Sequence, residues 1–173
     1  MRNIFLIGFM GTGKTTISEE LCRMTGRKLL DMDKEIEKRE KRKIPEIFDT
    51  DGEEYFRNLE TDFLREMQKE EDVIVSCGGG VPLRQENVEE MTKSGTIVLL
   101  SASPKTIFER VRDSHDRPIL EKNKSVSYIE ELLERRRPWY EKAADVEIVT
   151  DGKEIFNIAR EILEKCSCQE TSE

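Results

Sequence analysis

The clearest chemical pattern in the sequence lies near its start, where an apolar run leads into glycines. Gly8, Gly13, Lys14 and Thr15 are spaced as G-x-x-x-x-G-K-[ST], the pattern of a phosphate-binding loop. Glycines let backbone N–H groups approach phosphate oxygens, and the helix that follows directs its positive end at the anion. Lys14 adds a full charge, and the Thr15 hydroxyl suits a magnesium ion. The pattern predicts a nucleotide site but names no reaction, because switch proteins, motors and kinases all carry it.

Two carboxylates follow a weaker apolar segment further along the chain. Asp31 and Asp33 come just after residues 28–30, which form a candidate strand. Side chains two residues apart in an extended segment point to the same side. They would then project from the carboxyl end of a strand, where ligands bind in open α/β sheets. One carboxylate could serve a metal ion and the other an acceptor hydroxyl, but a solvated turn that caps a helix has the same sequence.

Arginines and glycines later in the chain could complete such a site. Arg57 and Glu60 are three residues apart in a helical pattern, so Glu60 could orient the Arg57 guanidinium, although a surface ion pair has the same spacing. Three consecutive glycines, Gly78–Gly80, end an apolar segment, and their conformational cost suggests that backbone approaches a ligand there. Arg117 and Arg136 lie in polar stretches, where either could also be ordinary surface charge.

The elements that must position these residues are strands alternating with helices. Continuous apolar runs predict strands covered on both faces at 4–7, 73–75, 97–100 and 146–149. Between them, apolar residues recur at helical spacing, for example Ile17, Leu21 and Met24. This alternation predicts an α/β fold with a mostly parallel sheet and helices on both faces. No linker or internal repeat interrupts the 173 residues, so the sequence predicts one domain, 1–173.

Two segments are predicted to pack less closely than the rest. Residues 113–127 are polar and long for a connector, which makes them a candidate mobile loop. Residues 166–173 predict a polar, frayed tail, and the cysteine pair within it gives no metal pattern.

The composition disfavours several classes of function. Apolar residues make up 36% of the chain and charged residues 38%, with a net charge of −8. A negative field disfavours nucleic-acid and membrane-surface binding, so neither partner is expected. The first apolar run is followed by GTGK instead of a cleavage site, which argues against a secretion signal and predicts a cytoplasmic protein. The charged surface predicts a monomer.

In their order along the chain, the motifs resemble those of the shikimate kinases. The resemblance covers residues 1 to about 165 and rests on GFMGTGKTT, DMD, FRNLE, GGG, RPIL and the R-x-P-x-Y of residues 136–140. It implies a three-layer P-loop kinase fold: a five-stranded parallel sheet flanked by helices, with a substrate-binding region at about 32–62 and a mobile lid at about 112–127. The implied reaction transfers the γ-phosphoryl group of ATP to the 3-hydroxyl of shikimate.

The resemblance also implies roles on the nucleotide side of the site. The residues implied to bind ATP are Gly11, Thr12, Gly13, Lys14, Thr15, Thr16, Arg110 and Arg117. Thr15 and Asp31 would hold Mg²⁺, and Arg110 would lie on the adenine face. Lys14 and Arg117 would be catalytic, with Arg117 entering from the lid.

On the acceptor side, the resemblance implies that shikimate is held by side chains and backbone together. Arg57 and Arg136 would bind its carboxylate, while Gly79 and Gly80 would offer backbone N–H groups. Asp33 would bind the 3-hydroxyl and act in catalysis, and Glu60 would orient Arg57.

The sequence departs from the family pattern at two places, and two other functions stay open. Cys77 stands where the family often has Thr, and RPIL replaces the commoner R-P-L-L. A related small-molecule kinase for gluconate or a nucleoside monophosphate is one alternative. The other is a nucleotide-binding regulatory module without catalysis.

Overall fold

Five parallel strands form the centre of the structure, a computed structural model that describes residues 2–112 and 125–170. The strands are β1 (Asn3–Ile7), β2 (Lys28–Asp31), β3 (Val73–Ser76), β4 (Gly95–Ser101) and β5 (Val146–Val149). Their order in the sheet is β2-β3-β1-β4-β5, and every pairing is parallel. All five predicted strands, including the weak one at 28–30, are therefore confirmed, together with the α/β class.

Helices cover both faces of this sheet. Within the described residues they are α1 (Lys14–Thr25), α2 (Met32–Glu40), α3 (Ile44–Glu66), α4 (Gln85–Ser94), α5 (Pro104–Val111), α6 (Val126–Ala143) and α7 (Ile155–Glu170). Helix α3 is kinked at Gly52, whose φ of 85° and ψ of 171° are not helical. No helix in these ranges is both long and apolar enough to cross a membrane.

Two apolar clusters, one on each side of the sheet, form the three-layer core. Phe5 and Ile7 of β1 belong to the cluster that α3, α4, α5 and α6 cover, whereas Ile4 and Leu6 belong to the cluster that α1 and α7 cover. Side chains along a strand alternate between faces, so the central strand must be apolar throughout. The edge strand β5 differs, because its residue Val149 is 49% exposed.

The register of the sheet brings the candidate site together at one edge. Leu6 of β1 and Asp31 of β2 both pair with Ser76 of β3. The segments that leave these three strands at their carboxyl ends therefore start side by side. This edge is where ligands bind in open parallel sheets.

The two segments predicted to pack loosely are only partly described. Helix α6 begins at Val126, so the last two residues of the predicted lid are helical, and residues 113–124 lie outside the described ranges. Helix α7 continues to Glu170, so the predicted tail begins as helix instead of frayed chain. Cys166 packs against the cluster between α1 and α7, which gives that part of the tail a reason to be helical.

Candidate active site

The loop between β1 and α1 has the backbone conformation that its glycines predict. Gly8, Gly11 and Gly13 have positive φ angles of 146°, 78° and 95°. A Cβ on Gly8 would lie 2.4 Å from the Leu100 carbonyl oxygen, and one on Gly11 would lie 2.7 Å from Cγ1 of Val111. Positive φ and close packing therefore both require glycine at these two positions.

The side chain of Lys14 folds back over this loop. Its Nζ donates hydrogen bonds to the carbonyl oxygens of Gly8 at 2.7 Å and Phe9 at 3.0 Å. Thr12 is buried, and its hydroxyl donates to the Phe9 carbonyl at 2.7 Å. These bonds hold the loop in shape and keep the Lys14 charge beside it.

The first turn of α1 has the properties of an anion site. Gly13 is the N-cap and has no side chain to bond the first N–H groups of the helix. No acidic residue lies in this turn, and Thr15 and Thr16 are exposed on it. The open N–H groups and the positive end of the helix dipole favour a bound phosphate.

Asp31 and Asp33 do not lie together on an extended segment, as the sequence predicts, because a helix begins between them. Asp31 ends β2 and is the N-cap of α2, where Oδ1 accepts a hydrogen bond from the backbone N of Lys34 at 3.2 Å. Asp33 already lies in the first helical turn. The prediction that both project from an extended segment is therefore wrong, because capping by Asp31 starts the helix immediately after it. Both carboxylates still lie at the carboxyl edge of the sheet.

Arg57 is held between two glutamates on α3. Its Nη1 donates to Oε2 of Glu60 at 2.8 Å, and its Nη2 donates to Oε1 of Glu53 at 3.1 Å. Glu60 is 1% exposed, and burial raises the pKa of its carboxyl to about 7 although the Arg57 charge opposes this shift. The Arg57–Glu60 contact therefore joins a buried carboxyl to a partly buried guanidinium and is not a surface ion pair.

The glycine triplet lies where side chains from three elements converge. A Cβ on Gly78 would lie 3.0 Å from Oε1 of Glu60 and 3.1 Å from Oδ1 of Asp33. A Cβ on Gly80 would lie 2.4 Å from Nη1 of Arg57. The triplet thus leaves space that the functional groups of α2 and α3 occupy.

Helix α6 brings Arg136 to the middle of the same triplet. A Cβ on Gly79 would lie 3.6 Å from Nη1 of Arg136. The guanidinium also lies over the ring of Phe9, 5.6 Å from its centroid, in a cation–π contact with the phosphate loop. Tyr140, one turn later, donates a hydrogen bond to the Gly79 carbonyl oxygen at 2.7 Å.

Arg110 joins the phosphate loop to the turn that follows β5. Its Nη1 donates to the Gly11 carbonyl oxygen at 3.1 Å and to the Thr150 hydroxyl at 3.3 Å. The side chain therefore lies beside the loop. Arg117, the other arginine predicted on the nucleotide side, lies outside the described residues.

Cys77 lies near several of these charged groups. Cys77 follows β3 and is buried, and burial raises the pKa of its thiol far above its ordinary value. Lys14 opposes this rise in pKa, whereas the charges of Asp31, Asp33 and Glu60 add to it. The structure thus brings these predicted residues around the carboxyl end of β3.

Two contributors were missed by sequence reasoning. Glu53 contacts Arg57 from one turn earlier on α3, and Tyr140 contacts Gly79 from one turn after Arg136. The four-residue spacing to a predicted arginine was available as a signal in both cases.

Comparisons with known proteins agree with this geometry. The family model described as shikimate kinase matches residues 10–167. A shikimate kinase of Persephonella marina is 42% identical over 163 residues, covering 94% of this chain and 98% of the relative. A shikimate kinase from Acinetobacter baumannii, solved in complex with shikimate, is 32% identical with a TM-score of 0.89, and the alignment covers 98% of this chain and 94% of that chain.

A more distant structural neighbour has the same fold at low sequence identity. A gluconokinase from Sinorhizobium meliloti has a TM-score of 0.61 at 18% identity, over 97% of this chain and 93% of that chain, so it supports the fold alone. The family match and the curated relatives are specific, and by them the chain belongs to the shikimate kinase family.

Proposed function

We propose that the chain transfers the γ-phosphoryl group of ATP to the 3-hydroxyl of shikimate, giving shikimate 3-phosphate and ADP. The observation that carries the proposal is that Arg57, Arg136 and Asp33 each lie against one glycine of Gly78–Gly80, beside the phosphate loop. Shikimate has one carboxylate and three hydroxyls on a small ring. Two guanidinium groups suit the carboxylate, and one carboxylate suits a hydroxyl. The Acinetobacter baumannii relative, solved with shikimate, supports the same substrate.

On the donor side, the phosphates of ATP would bind the loop and the first turn of α1. The proposed nucleotide-binding residues are Gly11, Thr12, Gly13, Lys14, Thr15, Thr16, Arg110 and Arg117. Lys14 would face the β- and γ-phosphates, because its charge already lies over the loop. The guanidinium of Arg110, which bonds to Gly11, would cover the adenine.

On the acceptor side, Arg57 and Arg136 would bind the shikimate carboxylate with paired N–H groups. Gly79 and Gly80 would offer backbone N–H groups to the substrate and the γ-phosphate. Glu60 keeps Arg57 oriented, since the buried pair leaves the guanidinium few alternative positions.

The donor set at the edge of the sheet fits a magnesium ion. The Thr15 hydroxyl and the Asp31 carboxylate are hard oxygen ligands. Lys34 contacts both Asp31 oxygens, through its backbone N–H at 3.2 Å and its exposed ammonium at 3.6 Å, and still leaves the carboxylate further lone pairs. The described residues contain no cluster of three metal-binding acidic, histidine or cysteine side chains. This agrees with an ion that takes most ligands from water and phosphate. When bound, Mg²⁺ would neutralise phosphate charge.

The chemistry that we propose for the protein groups is mainly positioning and charge stabilisation. Asp33 would orient the 3-hydroxyl and accept its proton as the oxygen attacks the γ-phosphorus. Lys14 and the loop N–H groups would stabilise the charge that forms on departing ADP. Arg117 would enter with the lid at about 112–127, and lid closure would exclude water as a competing acceptor.

Neither alternative function is favoured. Gluconate kinases share the fold, as the Sinorhizobium meliloti neighbour does, but that likeness at 18% identity says nothing about substrate. A regulatory module without catalysis would not require Lys14, Asp31 and Asp33 to remain together at one site.

We further propose that the enzyme acts as a monomer in the cytoplasm, where ATP is available, and binds no nucleic acid, as its net charge of −8 suggests.

Replacement of Gly80 by alanine tests the contact between the triplet and Arg57. The new Cβ would lie 2.4 Å from Nη1, and the mobile end of the arginine, not the backbone, has to give way. We expect kcat/KM for shikimate to fall by about 10²-fold, the usual order for a displacement near 1 Å in an active site. The KM for ATP should stay close to that of the wild type. Steady-state kinetics with each substrate varied in turn measure both, and an unchanged KM for shikimate would rule out this contact as a determinant of binding.

The raised pKa of Glu60 predicts how stability depends on pH. Between its ordinary pKa of 4.5 and about 7, the folded chain retains a proton that the unfolded chain has released. Stability from this group is therefore fully present below the lower value and is lost as the pH rises through the upper one. Relative to Glu60→Gln, the wild-type free energy of unfolding should fall by about 2–3 kcal/mol between about pH 5 and about pH 8. Denaturant titrations of both proteins test this, and parallel pH profiles would contradict it.

The position of phosphorylation tests the proposed reaction itself. One-dimensional ³¹P and two-dimensional ¹H–³¹P NMR of the product formed from ATP and shikimate should show phosphorus coupled to the proton on carbon 3. Coupling to the proton on carbon 4 or 5 would mean that Asp33 does not select the 3-hydroxyl. Absence of a new phosphate ester would refute the proposed function.

A further inference from the structure

Tyr140 is almost fully buried on α6, and its hydroxyl lies between two groups of the acceptor site. The side chain is 4% exposed and packs in the cluster that also contains Phe9 of the phosphate loop. The hydroxyl donates to the Gly79 carbonyl oxygen at 2.7 Å and accepts a long hydrogen bond from Nη1 of Arg136 at 3.5 Å. A phenol can donate one bond and accept another, so both contacts are compatible.

The bond to Gly79 has a consequence for the next peptide N–H group. In a trans peptide, the carbonyl of one residue and the N–H of the next point in opposite directions, and the described residues contain no cis peptide bond. Because Tyr140 holds the Gly79 carbonyl, it also directs the N–H of Gly80 away from α6. The Val81 N–H donates to the Gly78 carbonyl oxygen at 3.2 Å and so closes a turn around this peptide. Glycines at both central positions allow that peptide to take either orientation, so the bond from Tyr140 selects one of them.

The Tyr140 hydroxyl also restrains the Arg136 guanidinium, the second group of the acceptor site that it contacts. Tyr140 and Arg136 are four residues apart and lie on the same face of α6. Arg136 is also placed over the Phe9 ring, 5.6 Å from its centroid. The hydroxyl and the ring therefore limit the guanidinium from two directions.

We infer that Tyr140 is a positioning residue for the acceptor: its hydroxyl couples the Arg136 guanidinium to the Gly79–Gly80 peptide and so aligns two substrate-binding groups with each other. The inference rests on the proposed function, which assigns both groups to shikimate. Tyr140 itself need not touch the substrate, because it acts through the groups that do.

The variant Tyr140→Phe removes the hydroxyl and keeps the ring in the core. We expect the KM for shikimate to rise about tenfold, the effect of losing one well-formed hydrogen bond. The KM for ATP should remain within about twofold, since no described contact of the hydroxyl reaches the nucleotide residues Lys14 or Arg110. Tyr128→Phe, which removes a hydroxyl near the start of the same helix, is the matched control and should behave like the wild type.

A role limited to packing or stability would give a different result. It would lower the melting temperature or the yield of active enzyme without changing the KM of the molecules that are folded. A KM for shikimate that rises less than about threefold, or a rise that is equal for ATP, overturns the inference. Tyr140→Phe and Arg136→Lys should each raise the KM for shikimate, and the double variant should raise it by less than the product of the two single increases. An increase equal to that product would mean that the two residues act independently, which also overturns the inference.

These outcomes separate this inference from the proposed function. If wild-type enzyme releases ADP with shikimate and Tyr140→Phe has the wild-type KM, only the positioning role fails. If the wild type releases no ADP with shikimate, the proposed function itself fails.

Discussion

Lys14→Met is expected to lower kcat by on the order of 10³-fold, because it removes the charge that would stabilise the phosphates in the transition state. A single preorganised donor to developing negative charge contributes about 10²–10³ in rate, and a full charge at the β–γ bridge lies at the upper end of that range. Lys14 also bonds to the carbonyl oxygens of Gly8 and Phe9, so the loop should loosen and the KM for ATP should rise as well. Single-turnover kinetics at saturating ATP separate the two effects.

The matched control for this variant is Lys28→Met. Lys28 lies on β2 with its side chain 60% exposed and an ion pair to Glu70 at 3.7 Å. An exposed pair of this kind contributes little, so both kcat and stability should stay near the wild-type values. If Lys14→Met keeps kcat within about tenfold of the wild type, Lys14 is a nucleotide anchor and not a catalytic residue.

Arg57→Ala is expected to raise the KM for shikimate by about 10²-fold and to leave the KM for ATP within about threefold. Charge-assisted, bidentate hydrogen bonds to a carboxylate are among the strongest in proteins, and alanine removes all of them at this position. The guanidinium lies against Gly80 and is held by Glu60, but it makes no described contact with the phosphate loop. Measurements of KM for each substrate test this selectivity, and equal increases would contradict the assignment of Arg57 to the acceptor.

Stability must be followed alongside the kinetics of this variant. Removing Arg57 leaves the Glu60 carboxyl buried without its partner, which commonly costs about 3–5 kcal/mol when the charge is retained. The raised pKa of Glu60 limits this loss, because the carboxyl can take up a proton instead. Arg57→Lys keeps a positive charge but loses the planar fork, so it should fold well and still show a raised KM for shikimate. Arg65→Ala, an exposed arginine on the same helix, is the control that should change neither KM.

The sheet could be predicted from sequence because its central strands are buried on both faces. Such strands must be apolar at every position, as β1 is from Ile4 to Ile7, and the run is visible without any alignment. The edge strand β5 was found by the same signal although it is covered on one face only, since Val149 is apolar but half exposed. Exposure of an edge strand depends on which elements pack beside it, and that information is not local.

Parts of the candidate site that form one continuous segment could be predicted from sequence, whereas contacts between distant segments could not. The phosphate loop is one continuous segment, so its spacing alone identified it. Asp31 and Asp33 were located but misjudged, because an aspartate after a strand can either extend the chain or cap a helix, and here it caps α2. Tyr140 lies four residues after Arg136 in the R-x-P-x-Y motif, but no role was predicted for it, since its partner, the Gly79 carbonyl, is 61 residues away in sequence. Contacts of that range follow from the packing of α6 on the triplet and not from a local pattern.

The most direct test of the account is ADP release measured with a panel of acceptors. The purified chain, ATP and Mg²⁺ would be combined in turn with shikimate, a shikimate analogue lacking the 3-hydroxyl, gluconate and nucleoside monophosphates, with ADP followed by a coupled assay. We predict rapid ADP release with shikimate alone, while the 3-deoxy analogue inhibits competitively because its carboxylate still binds Arg57 and Arg136. Release that is faster with gluconate or a nucleoside monophosphate, or that is absent with every acceptor, would contradict the central claim.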